Sequence, residues 1–190
     1  MSAKVQINPA PDLQQPLPRT EEVISKFVDN YTYDHLIEAH GHEPARKKMS
    51  EMVEAFLPGL SNTILFIEGG LEGMSLSHIW FGPNFPLFRH SHPAYGNCLY
   101  YVVEGEIHMG KKTLKKGSTI FMPATHPYKY SAGPAGVEVL EFRAGGGDPT
   151  GPTTQIHENS FEAIDEIIEG CRANEASWAA PNHIGELAER

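Results

Sequence analysis

Residues 82–105 read GPNFPLFRHSHPAYGNCLYYVVEG, and they place two histidines, His90 and His92, one residue apart ahead of a strand-like run. Side chains two residues apart in an extended chain point to the same face, so both imidazoles can reach one metal ion. Imidazole binds iron, zinc, copper and nickel. The pattern also fits two ordinary polar histidines before a strand, because so short a motif often occurs by chance.

The segment that follows supplies a third histidine. Residues 105–128 read GEIHMGKKTLKKGSTIFMPATHPY, in which short strand-like runs alternate with glycine turns before Pro123 and His126. Short strands separated by frequent turns are typical of an antiparallel sandwich or barrel. The predicted strands cover residues 63–68, 75–81, 99–103, 106–109, 112–115, 118–122, 129–131 and 137–143. Three neutral histidines that converge inside such a barrel can hold a divalent metal and leave positions open for substrate.

The two segments together resemble the two sequence motifs of the cupin superfamily. The first motif is a glycine, a His-x-His pair and a second glycine; the second is a glycine, five residues, a proline and a histidine. The matching residues are Gly82, His90, His92, Gly105, Gly117, Pro123 and His126. The resemblance covers roughly residues 63–143. It implies an all-β double-stranded β-helix, or jelly roll, which here has N-terminal and C-terminal helices.

Two departures from the family pattern bear on the metal ligands. Many cupins use a glutamate as a fourth ligand, and this chain has Asn97 and Cys98 at the corresponding place. The motif histidine usually lies about five residues after the proline, whereas His126 lies three after Pro123 and Tyr128 holds the usual place. The resemblance therefore implies a site with three histidine ligands and no glutamate.

Three-histidine cupins include acetylacetone-dioxygenase-like and thiol-dioxygenase-like members. The resemblance thus implies a non-haem iron(II) dioxygenase that acts on a small organic substrate. Zinc, manganese or nickel in the same site would instead fit a metal-dependent isomerase, lyase or cyclase, and a non-catalytic metal-binding or ligand-binding cupin is a third alternative. Cys98 has two interpretations, because thiol dioxygenases carry a cysteine in place of the motif glutamate, whereas a buried free cysteine is also an ordinary core residue.

Other side chains are candidates for the surroundings of the metal. Glu141 lies on the last predicted strand and could reach the barrel interior as a catalytic base. Tyr128 could direct its hydroxyl into the same space. Arg89 precedes the histidine pair and could bind a substrate carboxylate. The remaining candidates for substrate contact are Tyr100, Asn97 and Cys98.

Length and charge bound the class of protein. A chain of 190 residues predicts one domain with extensions: an N-terminal arm and helices over 1–60, the barrel over 61–145, and a C-terminal extension with a helix over 146–190. A net charge of −9 argues against nucleic acid and anionic membrane as partners. The absence of a signal-peptide core and the two cysteines predict a cytoplasmic location.

The flanking segments carry predictions of their own. Residues 1–19 contain four prolines and predict an extended arm. Helices are predicted from Thr20, over 44–56, and from Asn159 or Ser160 with Asn159 in a capping box. The second His-x-His, His40 to His42, lies at a predicted break between helices and is interpreted as a solvated turn. Because exposed sheet edges invite pairing, we expect a homodimer in which the arm or the first strand crosses to the partner.

Overall fold

The computed structural model describes residues 43–67, 73–145 and 154–190. The predictions for the arm over 1–19, for the helix from Thr20 and for His40 to His42 lie outside these residues. Within the three described ranges, no helix is both long enough and apolar enough to cross a membrane.

The described chain forms one antiparallel sheet of six strands, a separate pair of short strands and two helices. In chain order the elements are α1 (Glu43–Phe56), β1 (Leu60–Ile67), β2 (Ser75–Phe81), β3 (His90–Ser91), β4 (Asn97–Met109), β5 (Lys112–Lys115), β6 (Thr119–Met122), β7 (Ser131–Ala144), β8 (Gln155–Ile156) and α2 (Phe161–Asn174). The large sheet has the order β1-β2-β7-β4-β5, β6 also pairs with β4, and β3 pairs with β8. This is an all-β jelly roll with flanking helices, so the predicted fold class is confirmed.

Two strands, β4 and β7, each replace a pair of predicted shorter strands. The predicted strands over 129–131 and 137–143 are one strand, β7. The predicted strands over 99–103 and 106–109 are one strand, β4, which passes Gly105 at a register shift with a φ of 71°. A β-carbon at Gly105 would lie 2.1 Å from the carbonyl oxygen of Gly136 on β7. The glycine therefore allows a close approach of two paired strands and does not end the first of them.

The buried apolar residues of the sheet, its connecting loops and the two helices form one cluster. On β4 the buried residues Cys98, Tyr100 and Val102 alternate with the exposed residues Asn97, Leu99 and Tyr101, as a half-buried strand requires. The same cluster contains buried residues of both helices: Met49, Met52, Val53 and Phe56 on α1, and Ile164, Ile167, Ile168 and Cys171 on α2. The predicted domain boundaries themselves stay a prediction.

The N-terminal cap of α2 is a correction to the sequence analysis. The Oγ of Ser160 accepts a hydrogen bond from the backbone N–H of Ala163 at 3.2 Å, so Ser160 and not Asn159 caps this helix. Its backbone is extended, with φ of −147°, which is the conformation that an N-cap residue requires.

Trp178, in the C-terminal segment, anchors that segment to the barrel. Its Nε1 donates a hydrogen bond to the carbonyl oxygen of Pro83 at 2.9 Å, and its ring packs 5.5 Å from that of Phe85. A β-carbon at Gly82 would lie 2.3 Å from the indole, and one at Gly59 2.5 Å from it. The indole of Trp178 lies against the backbone of Gly82, a residue that matches the family motif, and leaves no room for a side chain there.

Candidate functional site

Backbone pairing brings the two motif segments together. The N–H of His90 donates to the carbonyl oxygen of Tyr128 at 3.0 Å, and the N–H of Tyr128 donates back to that of His90 at 2.9 Å. The N–H of His92 donates a hydrogen bond to the carbonyl oxygen of Ala124 at 2.9 Å. The His90 and His92 rings then lie side by side, with centroids 4.7 Å apart and planes at 85°. The two imidazoles predicted to share a metal are thus neighbours.

His90 has the electronic state that a metal ligand needs. Its Nδ1–H donates to the carbonyl oxygen of Phe88 at 2.9 Å, so its Nε2 carries the lone pair. Burial lowers the pKa of His90 to about 4, and the positive charge of Arg143 contributes in the same direction, so the ring is neutral at pH 7. The Nδ1 of His92 is held by the hydroxyl of Thr154 at 2.9 Å. Such outer contacts orient metal-binding histidines.

The place beside this pair is taken by Tyr128. Its ring centroid lies 4.4 Å from that of His90 and 6.3 Å from that of His92. His126 is exposed in the turn after β6, where its N–H donates to the carbonyl oxygen of Pro123 at 3.0 Å. The next β-bridge forms only at Tyr128, after Pro127. His126 and Tyr128 therefore do not lie on one regular strand that would keep both side chains on the same face.

His126 therefore does not join the other two histidines in this structure. In the described ranges, no three His, Cys, Asp or Glu side chains form a group that could hold a metal ion. Among the residues that the structure describes, the donors fit two imidazole ligands, from His90 and His92. The role of His126 as the third ligand stays a prediction.

Further polar side chains line the buried space on the same side of the sheet. Glu141 and Arg143 lie on β7, both buried, and the Nε of Arg143 donates to Oε1 of Glu141 at 2.6 Å. The hydroxyls of Tyr100 and Tyr128 are 3.2 Å apart. Burial and the negative charge of Glu141 raise the pKa of both tyrosines well above the usual value, so both hydroxyls stay protonated at neutral pH.

The two residues at the position of the missing glutamate face opposite ways. Asn97 is exposed, and its Oδ1 accepts a hydrogen bond from the N–H of Ala124 at 3.2 Å. Cys98 is buried, and burial raises the pKa of its thiol far above the usual value. A buried, protonated thiol is a poor metal ligand, which favours the interpretation of Cys98 as a core residue.

Arg89 is exposed, and its backbone N–H donates to Oε1 of Glu158 at 2.6 Å. It therefore lies apart from the buried set around His90. The arginine that does belong to that set, Arg143, was missed by the sequence analysis. Its signal was available, because side chains alternate along a strand and an inward Glu141 implies an inward Arg143. Thr154 had no comparable signal.

Comparison with family models finds no match to this chain, and comparison with curated proteins finds none either. Solved structures that are similar include KdgF from Halomonas sp., with 18% identity over 48% of this chain and 83% of that chain and a TM-score of 0.42. An RmlC-like cupin from Shewanella frigidimarina NCIMB 400 has 25% identity over 47% and 78%, with a TM-score of 0.40. The polyketide cyclase RemF from Streptomyces resistomycificus has 18% identity over 56% and 77%, with a TM-score of 0.44. Since these scores lie below 0.5, they carry no argument about this chain, and its description as a jelly roll rests on its strand order.

Proposed function

We propose that the chain is a metal-dependent cupin enzyme that transforms a small organic molecule inside the barrel. The observation that carries the proposal is the pair of adjacent imidazoles, His90 and His92, of which His90 is held neutral with its Nε2 lone pair available. A buried imidazole with this tautomer needs no further proton loss to bind a divalent cation.

His90 and His92 would hold the metal, and His126 is the predicted third protein ligand. Iron(II) is the first choice, because the family resemblance points to it, and zinc, manganese or nickel are the alternatives. When bound, such a metal supplies a Lewis acid and open positions for substrate. Cys98 and Asn97 take no part in binding it.

The chain's own groups would bind the substrate and hold protons beside it. Tyr100 and Tyr128 share a hydrogen bond, and a protonated hydroxyl of either can donate to a substrate oxygen. Glu141 lies close enough to raise the pKa of both tyrosines, so it can accept a proton in the same space. The aromatic walls exclude water and strengthen these polar contacts.

Two reaction classes are open to such a site. Oxygenation by non-haem iron(II) is the reaction that the sequence resemblance implied. A specific observation favours the second class, a metal-dependent lyase, isomerase or cyclase: two phenols and a carboxylate that can move protons lie beside the proposed metal position. A cupin that binds a metal or ligand without turnover is the third candidate.

We also propose a homodimer in the cytoplasm, with no nucleic acid or membrane partner. Among the described strands, β1 pairs with β2 and is the last strand of the large sheet, and sheet edges are where strands of a second chain can pair.

The test combines metal analysis with oxygen consumption. Protein purified without added metal is analysed for iron, zinc, manganese and nickel, and candidate substrates are then assayed with and without oxygen. Substrate-dependent oxygen uptake supports the dioxygenase, and turnover without oxygen uptake supports the lyase, isomerase or cyclase. Bound metal without turnover of any compound supports the non-catalytic cupin. A protein that binds none of these metals, when each is supplied in excess, refutes the proposal.

A further inference from the structure

The segment over residues 154–158 follows the barrel in the chain, yet it runs beside the His-x-His segment. β3 pairs with β8 in antiparallel register, with His90 opposite Ile156. His90 also forms a bridge with Tyr128. Because a strand has two edges, the His-x-His segment lies between two neighbours, the second motif segment on one side and residues 154–158 on the other.

Hydrogen bonds extend this pairing beyond β3 and β8. The N–H of His157 donates to the carbonyl oxygen of Arg89 at 2.8 Å, and the N–H of Arg89 donates to Oε1 of Glu158 at 2.6 Å. The Oγ of Ser91, a buried residue, lies 2.9 Å from Nε2 of His157. These contacts hold the backbone extended on both sides of His90, and an extended backbone puts two histidines one residue apart on the same face.

Thr154 makes a direct contact with a proposed metal ligand. Its Oγ1 lies 2.9 Å from Nδ1 of His92. A hydroxyl can accept from an imidazole N–H or donate to an imidazole lone pair, but only the tautomer with its proton on Nδ1 leaves the lone pair of Nε2 for a metal. The ring of His90 is in that state, because the carbonyl oxygen of Phe88 at its Nδ1 can only accept.

A purely structural role explains less of this segment. β8 has two residues, of which Gln155 is exposed and Ile156 half-buried, so it buries little apolar surface. The buried face of α2 and the hydrogen bond of Trp178 attach the C-terminal extension to the rest of the fold. The contact of Thr154 with His92 therefore acts on the ring more than on the stability of the fold.

We infer that Thr154 is a positioning residue of the metal centre, contributed from outside the two motif segments. The Oγ1 of Thr154 accepts the Nδ1–H of His92 and holds this ring, so that His92 binds the metal through Nε2, as His90 does. A hydrogen bond to the second nitrogen of a metal-binding histidine orients the ring and strengthens metal binding. This inference rests on the proposed function, since it concerns the metal ligands of that same site.

Metal titration of matched variants tests the inference. Metal-free protein is titrated with zinc(II), and with iron(II) in the absence of oxygen, in a calorimeter. Thr154→Val keeps the shape of the side chain but removes the hydroxyl, and it should weaken metal binding about 10–100-fold. Thr154→Ser keeps the hydroxyl and should bind within about threefold of the unchanged protein.

Thr113→Val, at an exposed position of β5, is the matched control and should bind the metal like the unchanged protein. Thermal unfolding of the metal-free samples checks that each variant is folded. Unweakened binding in Thr154→Val, or an equal loss in Thr154→Val and Thr154→Ser, would overturn the inference.

The tautomer of His92 gives a readout that needs no metal. Nitrogen-15 NMR of metal-free protein at pH 8, above the ordinary histidine pKa of about 6.5, reports which ring nitrogen carries the proton, and His92→Gln identifies the signal. We expect the proton on Nδ1 in the unchanged protein and in Thr154→Ser, and a shift toward Nε2 in Thr154→Val. A proton on Nε2 in the unchanged protein, or the same tautomer in all three proteins, would contradict the inference.

The two readouts keep this inference apart from the proposed function. If the unchanged protein binds no metal while the tautomer of His92 follows residue 154, the metal-dependent function is lost and the positioning of His92 by Thr154 stands. If the metal binds with the same affinity in all the variants, the metal site stands and Thr154 has no part in positioning it.

Discussion

Removal of the Glu138 carboxylate should release the C-terminal segment, residues 178–190, from the barrel. Glu138 is fully buried, with 0% of its surface exposed. Its Oε2 accepts from Nε2 of His78 at 2.8 Å and from the N–H of Gly185 at 2.8 Å, and its Oε1 accepts from the N–H of Leu187 at 2.9 Å. One carboxylate on β7 thus joins β2 to the last residues of the chain. The perturbation is Glu138→Ala, with Glu138→Gln as the milder change.

The expected loss follows from these three contacts. A hydrogen bond to a charged group contributes about 1.5–3 kcal/mol, but Gly185 and Leu187 can bond to water once the segment moves. The dominant cost is the buried Nε2–H of His78, which is left without its acceptor, and an unsatisfied buried donor costs about 1–3 kcal/mol. For a chain of this size, that lowers the melting temperature by roughly 2–12 °C. Glu138→Gln keeps an acceptor and should lose about half as much.

The pH dependence gives a second readout. Burial alone would raise the pKa of Glu138, but the hydrogen bonds from His78, Leu187 and Gly185 outweigh it and lower the pKa below 4.5. A depressed pKa in the folded state contributes stability that is present above the unfolded value and is lost as the pH falls through the folded value. The difference between the unchanged protein and Glu138→Ala should therefore be constant near neutral pH and shrink below about 4.5.

Thermal unfolding and hydrogen exchange measure both effects. In Glu138→Ala, the amides of residues 178–190 should exchange faster, while those of β4 keep their protection relative to global unfolding. Glu54→Ala, at an exposed position of α1, is the control and should change stability by less than about 0.5 kcal/mol. A melting temperature within 2 °C of the unchanged protein, or unaltered exchange at the C-terminal segment, would refute the reasoning.

Three further predictions concern packing, protonation and assembly. Gly82→Ala should cost about 1–3 kcal/mol by overpacking against Trp178, and the loss should be largely relieved in a Trp178→Leu background; urea unfolding measures both, and an equal loss in the two backgrounds contradicts the contact. In metal-free protein, burial of His90 should reduce stability by about 3 kcal/mol as the pH falls from 6.5 to 4, because the unfolded state binds a proton there that the folded state does not. His90→Gln has no titrating group at this position, so its free energy of unfolding, measured by urea unfolding at each pH, should lack that decrease. A decrease that persists in His90→Gln would contradict the prediction. Light scattering at micromolar concentration should give twice the chain mass of 21.0 kDa, and deletion of residues 1–19 should lower it; a monomer mass for the full chain removes the homodimer.

Much of the fold followed from local pattern. The strand predicted over 75–81 and the strand predicted over 112–115 have those bounds in the structure, because turn glycines delimit them. A hairpin at Gly110 joins β4 to β5. The prediction was wrong at Gly105, where a glycine marked a close approach of β4 to β7. Contacts between strands far apart in sequence leave no local signal, so the continuous length of β4 could not be predicted.

The site was predictable to the extent that its residues share one extended segment. His90 and His92 lie together because the chain there is extended. Between Pro123 and Tyr128 the chain turns, so alternation along a strand could not place His126, whose role as the third ligand stays a prediction. Arg143 followed from Glu141 by simple alternation and was overlooked, whereas the contact of Thr154 with His92 joins residues 62 positions apart and had no local signal.

The central claim is that His90 and His92 hold a metal, and elemental analysis tests it most directly. The unchanged protein, His90→Ala, His92→Ala and the control His183→Ala are purified in parallel and analysed for iron, zinc, manganese and nickel, with circular dichroism to check folding. We expect one of these metals near one equivalent per chain in the unchanged protein and in His183→Ala, and a small fraction of that in folded His90→Ala and His92→Ala. Full metal content in both His90→Ala and His92→Ala would contradict the account.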